Sequence, residues 1–284
     1  MNVILAKTAG FCFGVNRAVE AVYERLGSDC ELYTFGPIIH NEQVVSDLAS
    51  KGVKVINTEE ELKELEKGTV IIRSHGVPKR IYELIQSKSL EIVDATCPFV
   101  KRIHKIVEEE SKGDVTVVVI GSEHHPEVEG IIGWCNPDNP AIVIENQDEA
   151  ENSGIPIDRK ICIVSQTTFN FNKFQELVEI FKKKGYDINV VNTICNATEE
   201  RQTEAKTIAS EVDAMIVIGG SKSSNTQKLY EICSRECKNT QYIQTKDDLD
   251  TDSFRTLSRV GITAGASTPN KIIEEVQKYV RNIF

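Results

Sequence analysis

The segment Glu91-Ile92-Val93-Asp94-Ala95-Thr96-Cys97-Pro98-Phe99-Val100-Lys101-Arg102-Ile103-His104-Lys105-Ile106-Val107-Glu108-Glu109-Glu110-Ser111 reads as a strand, a short turn, a cysteine and a helix. Two other stretches read the same way. Asn2–Leu26 places Cys12 between a strand and a helix, and Ile188–Glu211 does so for Cys195. The three cysteines are spaced by about one small α/β unit each, and such self-similarity points to related units. A helix N-terminus offers unpaired N–H groups and partial positive charge. That environment favours thiolate, the form of cysteine that ligates metal.

Outward from these segments, apolar runs alternate with amphipathic stretches along the whole chain. Strands are expected at Val3–Ala6, Val70–Arg73, Glu91–Val93, Val115–Ile120, Ala141–Ile144, Ile161–Val164, Ile188–Val191, Ala214–Ile218 and Val260–Ile262. Helices are expected at Val15–Leu26, Glu42–Ser50, Phe99–Ser111, Lys173–Lys184, Glu199–Glu211, Gln227–Arg235 and Asn270–Arg281. This alternation predicts an α/β fold with mostly parallel pairing. The expected division is 1–96 with Cys12, 97–193 with Cys97, and 194–284 with Cys195 and a C-terminal helix.

The remaining cysteines, at 30, 135, 162, 233 and 237, lack the helix-start context and are expected as small buried hydrophobes. For Cys12, Cys97 and Cys195 the pattern leaves both readings open, metal ligand and core residue. No C-x-x-C occurs, which removes support for zinc ribbons and thioredoxin-type redox motifs. In a 284-residue chain eight scattered cysteines do not resemble a secreted disulfide framework.

The chain carries a formal net charge of −10, with no cluster of Lys and Arg of the kind nucleic-acid binding needs. Apolar runs such as Val115–Ile120 fall far short of the roughly 18 residues a membrane span requires. The start Met-Asn-Val-Ile-Leu-Ala-Lys lacks a basic lead and a long apolar run, unlike a signal peptide. A cytoplasmic protein is expected.

In open α/β sheets, ligands bind where strands end and helices begin. Donor-rich loops occupy those places: Ser74-His75-Gly76, Gly121-Ser122-Glu123-His124-His125-Pro126-Glu127, Ser165-Gln166-Thr167-Thr168, Gly219–Thr226 and Thr263–Pro269, with Gly36-Pro37-Ile38-Ile39-His40-Asn41 of the same character. Four of the five histidines fall in them. Backbone N–H groups, hydroxyls and imidazoles of this kind hold phosphate, and no Gly-Lys-Ser/Thr phosphate loop is present. Each loop also has a plainer reading. Ser223, Ser224, Asn225 and Ser267 suit helix caps, and Glu127 suits a helix first turn. His104, on the helix after Cys97, reads as structural.

Taken together, Ala9-Gly10-Phe11-Cys12-Phe13-Gly14-Val15, Gly36-Pro37-Ile38-Ile39-His40-Asn41, Arg73-Ser74-His75-Gly76-Val77, Asp94-Ala95-Thr96-Cys97-Pro98, His125-Pro126-Glu127-Val128, Gln166-Thr167-Thr168, Ile194-Cys195-Asn196-Ala197-Thr198, Ser223-Ser224-Asn225 and Gly265-Ala266-Ser267 resemble the 4-hydroxy-3-methylbut-2-enyl diphosphate reductase family. The matches run in order over nearly the whole chain. The resemblance implies three similar small α/β units in pseudo-threefold arrangement around a central [4Fe–4S] cluster, with Cys12, Cys97 and Cys195 as ligands and one iron open. It implies reductive dehydroxylation of the substrate to isopentenyl and dimethylallyl diphosphate, with reduced ferredoxin or flavodoxin as donor. By similarity His40, His75, His125, Ser223, Ser224, Asn225 and Ser267 hold the diphosphate. Glu127 is the proton source, and Thr167 stands in the relay near the hydroxyl. The segment Glu199-Glu200-Arg201-Gln202 after Cys195 has no assigned role. Two other classes compete: an iron–sulfur sensor or carrier without organic chemistry, and a metal-free sugar- or nucleotide-phosphate binding protein. The donor loops count against the first, and a bound cluster would exclude the second.

Overall fold

In the computed structural model, which describes residues 2–28, 30–254 and 257–283, strand and helix alternate from end to end as expected. The strands are β1 (Asn2–Leu5), β2 (Leu32–Phe35), β3 (Lys54–Ile56), β4 (Thr69–Ile72), β5 (Glu91–Asp94), β6 (Val115–Ile120), β7 (Ile142–Ile144), β8 (Lys160–Ser165), β9 (Asp187–Val190), β10 (Ala214–Ile218), β11 (Thr240–Ile243) and β12 (Arg259–Ala264). They pair in parallel in three four-stranded sheets. The orders are β3-β2-β4-β5, β7-β6-β8-β9 and β11-β10-β12-β1. These are one pattern used three times. The closing edge strand in each case, β5, β9 or β1, leads directly into Cys97, Cys195 or Cys12.

One strand departs from the expected division at residues 1–96. β1 does not join the strands that follow it. It pairs with β12, Asn2 opposite Arg259 and Leu5 opposite Ile262. Its Val3 and Leu5 pack against the cluster of Ile216, Ile262, Val276 and Val280, so joining that edge covers their apolar surface.

The chain forms two compact units. Residues 1–16, 39–47 and 195–284 make one, which carries the sheet of β1 and β10–β12; residues 17–38 and 48–194 make the other, which carries the remaining two sheets. Central strands are buried on both faces, as parallel sheets require. In β6, Val118 and Ile120 meet Phe174, Leu177 and Phe181 of the helix Phe171–Lys183. Val117 and Val119 point to the opposite face, where they meet Ile103 and Val107 of the helix Pro98–Glu110. Each such buried side chain contributes roughly 1.5–3 kcal/mol relative to exposure.

The two later cysteine helices therefore cross between sheets. Pro98–Glu110 leaves β5 and packs on β6–β8. Asn196–Glu211 leaves β9, and its Ala205, Ile208 and Ala209 pack with Met215 and Val217 of β10. The residues at these crossings are the ends of strands and the starts of helices, where backbone groups stay available for a ligand.

Candidate active site

All three cysteines occupy the position just before a helix. The carbonyl of Cys12 accepts the Asn16 N–H at 2.9 Å, that of Cys97 the Lys101 N–H at 3.0 Å, and that of Cys195 the Thr198 and Glu199 N–H groups at 2.8 and 3.1 Å. Pro98 starts the helix after Cys97, where its fixed φ fits and its missing N–H costs nothing. The Asp94–Cys97 turn is pinned from several sides. Thr96 N–H donates to the Asp94 carboxylate at 2.9 Å, Lys101 pairs with that carboxylate, and Arg17 donates to the Thr96 and Asp94 carbonyls at 2.8 and 3.1 Å. Cys97 N–H donates to the Ser74 carbonyl at 3.0 Å, which ties it to the His75 loop. In the other unit, Cys12 N–H donates to the Ala266 carbonyl at 3.3 Å, beside Ser267.

The three thiols are half-buried, whereas Cys162, Cys233 and Cys237 are buried. Burial pushes the Cys162 and Cys233 thiols up to about 12 and the Cys135 thiol up to about 11, which keeps them protonated and unsuited to ligate. Cys30 corrects the expectation for the other five: it is exposed, not a core residue. Partly accessible sulfurs at three helix starts are a donor set that suits iron. Cys12 and Cys195 fall in one compact unit and Cys97 in the other.

In the unit that holds Cys97, Glu127 lies in the first turn of the helix Pro126–Ile132, with His125 as its cap. The His125 Nδ1 accepts the Glu127 N–H at 3.1 Å, so that nitrogen carries no proton and the ring's donor is Nε2. The Glu127 side chain is 2% exposed. One of its oxygens accepts the Thr167 N–H at 2.5 Å and the other accepts the Thr167 hydroxyl at 2.8 Å. Burial drives its pKa up to about 7, against the downward pull of the two Thr167 bonds. A carboxyl group of this kind keeps and gives up a proton near neutral pH. Thr167 sits in the turn that follows β8, where Gln166 N–H donates to the Ile120 carbonyl at 2.8 Å. The His75 ring meets the His125 ring edge-on with centroids 5.5 Å apart.

In the other unit, His40 Nδ1 lies 2.8 Å from the Lys222 carbonyl. A carbonyl only accepts, so this nitrogen donates. The His40 carbonyl accepts the Ser267 hydroxyl at 3.0 Å, and Ser267 Oγ lies 3.3 Å from Ser223 Oγ. Ser223 caps the helix Ser224–Glu236 and accepts the Thr226 N–H at 3.3 Å. Asn225 Oδ1 accepts the Ala266 N–H at 2.9 Å, while its buried Nδ2 has no protein partner. A buried amide donor without an acceptor is costly, and this one is free to meet a ligand oxygen. Gly220 allows the close approach of these loops: a Cβ there would come within 2.6 Å of the His40 carbonyl oxygen. The plainer cap reading thus holds for Ser223, and the same hydroxyl sits within a cluster of expected binding groups.

His104 is structural, as expected. It stacks on Trp134 with centroids 5.1 Å apart, and burial pushes its pKa down to about 4. Two residues without an assigned role in the sequence stand beside the cysteines. Arg201 is 3% exposed and donates to the Ala264 and Gly10 carbonyls at 2.6 and 2.8 Å. Glu204 accepts the Lys7 and Thr8 N–H groups, each at 2.9 Å. Their signal in the sequence is a helix with no clear apolar stripe, which buries Thr198, Arg201 and Gln202.

Residues 3–281 match the LytB protein family. The chain is 48% identical over 286 residues to the 4-hydroxy-3-methylbut-2-enyl diphosphate reductase of Caldanaerobacter subterraneus subsp. tengcongensis, covering 100% of this chain and 98% of that protein. It is 45% identical to the enzyme of the same name from Clostridioides difficile, with 100% of both chains covered. Among solved structures, the E-1-hydroxy-2-methyl-but-2-enyl-4-diphosphate reductase of Plasmodium falciparum superposes with a TM-score of 0.91 at 30% identity, over 99% of this chain and 87% of that one. With motifs, sheet pattern and full-length similarity in agreement, the chain belongs to the LytB protein family.

Proposed function

We propose that this chain is an oxidoreductase that removes the allylic hydroxyl of 4-hydroxy-3-methylbut-2-enyl diphosphate and so makes isopentenyl and dimethylallyl diphosphate, as a step of isoprenoid precursor synthesis. The relatives' names supply the substrate. The observation that carries the chemistry is the buried Glu127–Thr167 pair, because an electron carrier has no use for a carboxyl group poised near neutrality. The reaction takes two electrons and two protons: the C–O bond breaks, one proton leaves in water with the departing oxygen, and the other forms a new C–H bond.

A [4Fe–4S] cluster held by Cys12, Cys97 and Cys195 would supply electrons one at a time and an unclaimed iron as Lewis acid. The protein's residues do the rest. Protonated Glu127 gives its proton, and Thr167 fixes both carboxyl oxygens so that the proton is aimed. His40, Ser223, Ser224, Asn225 and Ser267 in one unit, with His75 and His125 in the other, are the donors proposed for the diphosphate. Reduced ferredoxin or flavodoxin is the proposed donor, in the cytoplasm; no helix among the described residues is long and apolar enough to cross a membrane.

The test is anaerobic turnover of the hydroxylated diphosphate by cluster-loaded protein with a reduced donor. Formation of the two isomeric products is expected, and loaded protein that yields neither refutes the proposal.

A further inference from the structure

The helix Asn196–Glu211 begins at Cys195 and, through two side chains three residues apart, grips the loop that carries Cys12. Residues so spaced share a helix face. Arg201 reaches the Gly10 carbonyl with one guanidinium nitrogen and the Ala264 carbonyl with another. Glu204 takes the N–H groups of Lys7 and Thr8 and the Thr8 hydroxyl, the last at 2.6 Å. One helix thereby fixes a cysteine at its own start, the backbone two residues before a second cysteine, and the end of β12 that leads to Ser267.

The Arg201 charge sits in an unusual place. The residue is 3% exposed, forms no ion pair among the described residues, and its Nε is buried without a protein partner. Burial pulls the guanidinium pKa below its ordinary value, while Cys12, Glu204 and Cys195, in that order, act to hold it charged. A buried cation is screened weakly by salt and acts strongly on nearby charge. A buried donor left over in a folded protein also calls for an explanation.

We propose that Arg201 is the positioning residue for Cys12 and Cys195, and that its buried charge raises the reduction potential of the metal cluster those thiolates help to hold. The proposal rests on the cluster reading given under Proposed function. Reduction adds negative charge to a thiolate cluster, and a fixed cation stabilises the more negative state. Removal of that cation lowers the potential. Removal of the nearby Glu204 charge raises it.

The experiment compares anaerobically purified wild-type holoprotein with Arg201→Gln, Arg201→Lys and Glu204→Gln. Iron per chain and the midpoint potential are read by redox titration followed by electron paramagnetic resonance. Arg201→Gln removes the charge and ends short of the two carbonyls that the terminal guanidinium nitrogens reach, and it is expected to shift the midpoint to lower potential. Arg201→Lys keeps the charge and is expected to stay near wild type. Glu204→Gln is expected to shift it upward. Equal shifts in both Arg201 variants, or cluster-bearing variants with unmoved midpoints and only lower thermal stability, overturn the proposal and leave the cluster reading intact. If Arg201→Gln does not fold, an unmoved midpoint in Glu204→Gln overturns it. Wild-type protein that takes up no iron overturns both.

Discussion

Replacing Glu127 by Gln separates the proton from the shape of its site. The glutamine fills the same space, accepts the Thr167 N–H through its oxygen and donates to the Thr167 hydroxyl through its nitrogen. The Thr167 hydroxyl, a donor to the carboxylate in the wild type, becomes the acceptor, and the titration is lost. Glu127 has an ordinary pKa of 4.5 when unfolded and about 7 in the folded chain, raised by burial. The folded state therefore binds more protons than the unfolded state between these values, and stability falls as pH rises. The contribution is fully present below about pH 4.5 and lost as pH passes 7. At 1.36 kcal/mol per pKa unit, the loss between pH 4 and pH 8 is about 3 kcal/mol. Anaerobic urea unfolding of wild type and Glu127→Gln across this range measures it, with the difference between the two proteins cancelling other titrations. The variant is expected to gain about 3 kcal/mol relative to wild type from low to high pH, while turnover falls by roughly 10²–10⁴-fold, the usual worth of a general acid. A stability difference that stays flat with pH, or near-normal turnover, refutes the assignment.

Cys12→Ser, Cys97→Ser and Cys195→Ser are each expected to cut iron content and visible absorbance severely, whereas Cys30→Ser, at an exposed position, leaves both unchanged. Gly220→Ala puts a Cβ within 2.6 Å of the His40 carbonyl; a loss of about 1–3 kcal/mol in thermal unfolding and weaker binding of inorganic diphosphate by calorimetry are expected. Phe181→Ala opens a cavity beneath β6 and β8 and is expected to cost about 3–5 kcal/mol in urea unfolding while retaining the cluster.

Strands with continuous apolar runs were legible because both faces of a parallel sheet are buried. β6, Val-Thr-Val-Val-Val-Ile, and β10, Ala-Met-Ile-Val-Ile, need no periodicity to be found. β3 and β11 fall outside the expected strands for the converse reason. They are edges, three and four residues long, and most of their residues are half-buried or exposed. β2 is central but buries a threonine among Leu32, Tyr33 and Phe35. The helix Pro126–Ile132 also lacks a long apolar stripe, although its His-Pro-Glu start reads correctly as a helix beginning.

The cysteine motif shows why local pattern and chain division gave different answers. Strand–turn–cysteine–helix is a local unit, fixed by the strand's apolar residues and the helix start, so all three copies could be read. Which sheet each strand closes is a long-range choice. β5 closes the sheet of the residues just before it, and so does β9, whereas β1 closes the sheet of strands far along the chain from it. It takes the same position in the last sheet, beside β12. The repeat is thus cyclic, with the first strand completing the last sheet. That closure brings Cys12 N–H to the Ala266 carbonyl and lets Arg201 reach Gly10. The polar early turns of the helix Asn196–Glu211 follow from it, because Arg201 and Glu204 meet backbone groups of β12 and of the Cys12 loop, while Ala205, Ile208 and Ala209 pack with β10. Arg201 is legible only after this pairing is known, since nothing local in Glu199-Glu200-Arg201-Gln202 distinguishes a buried cation from a solvated one.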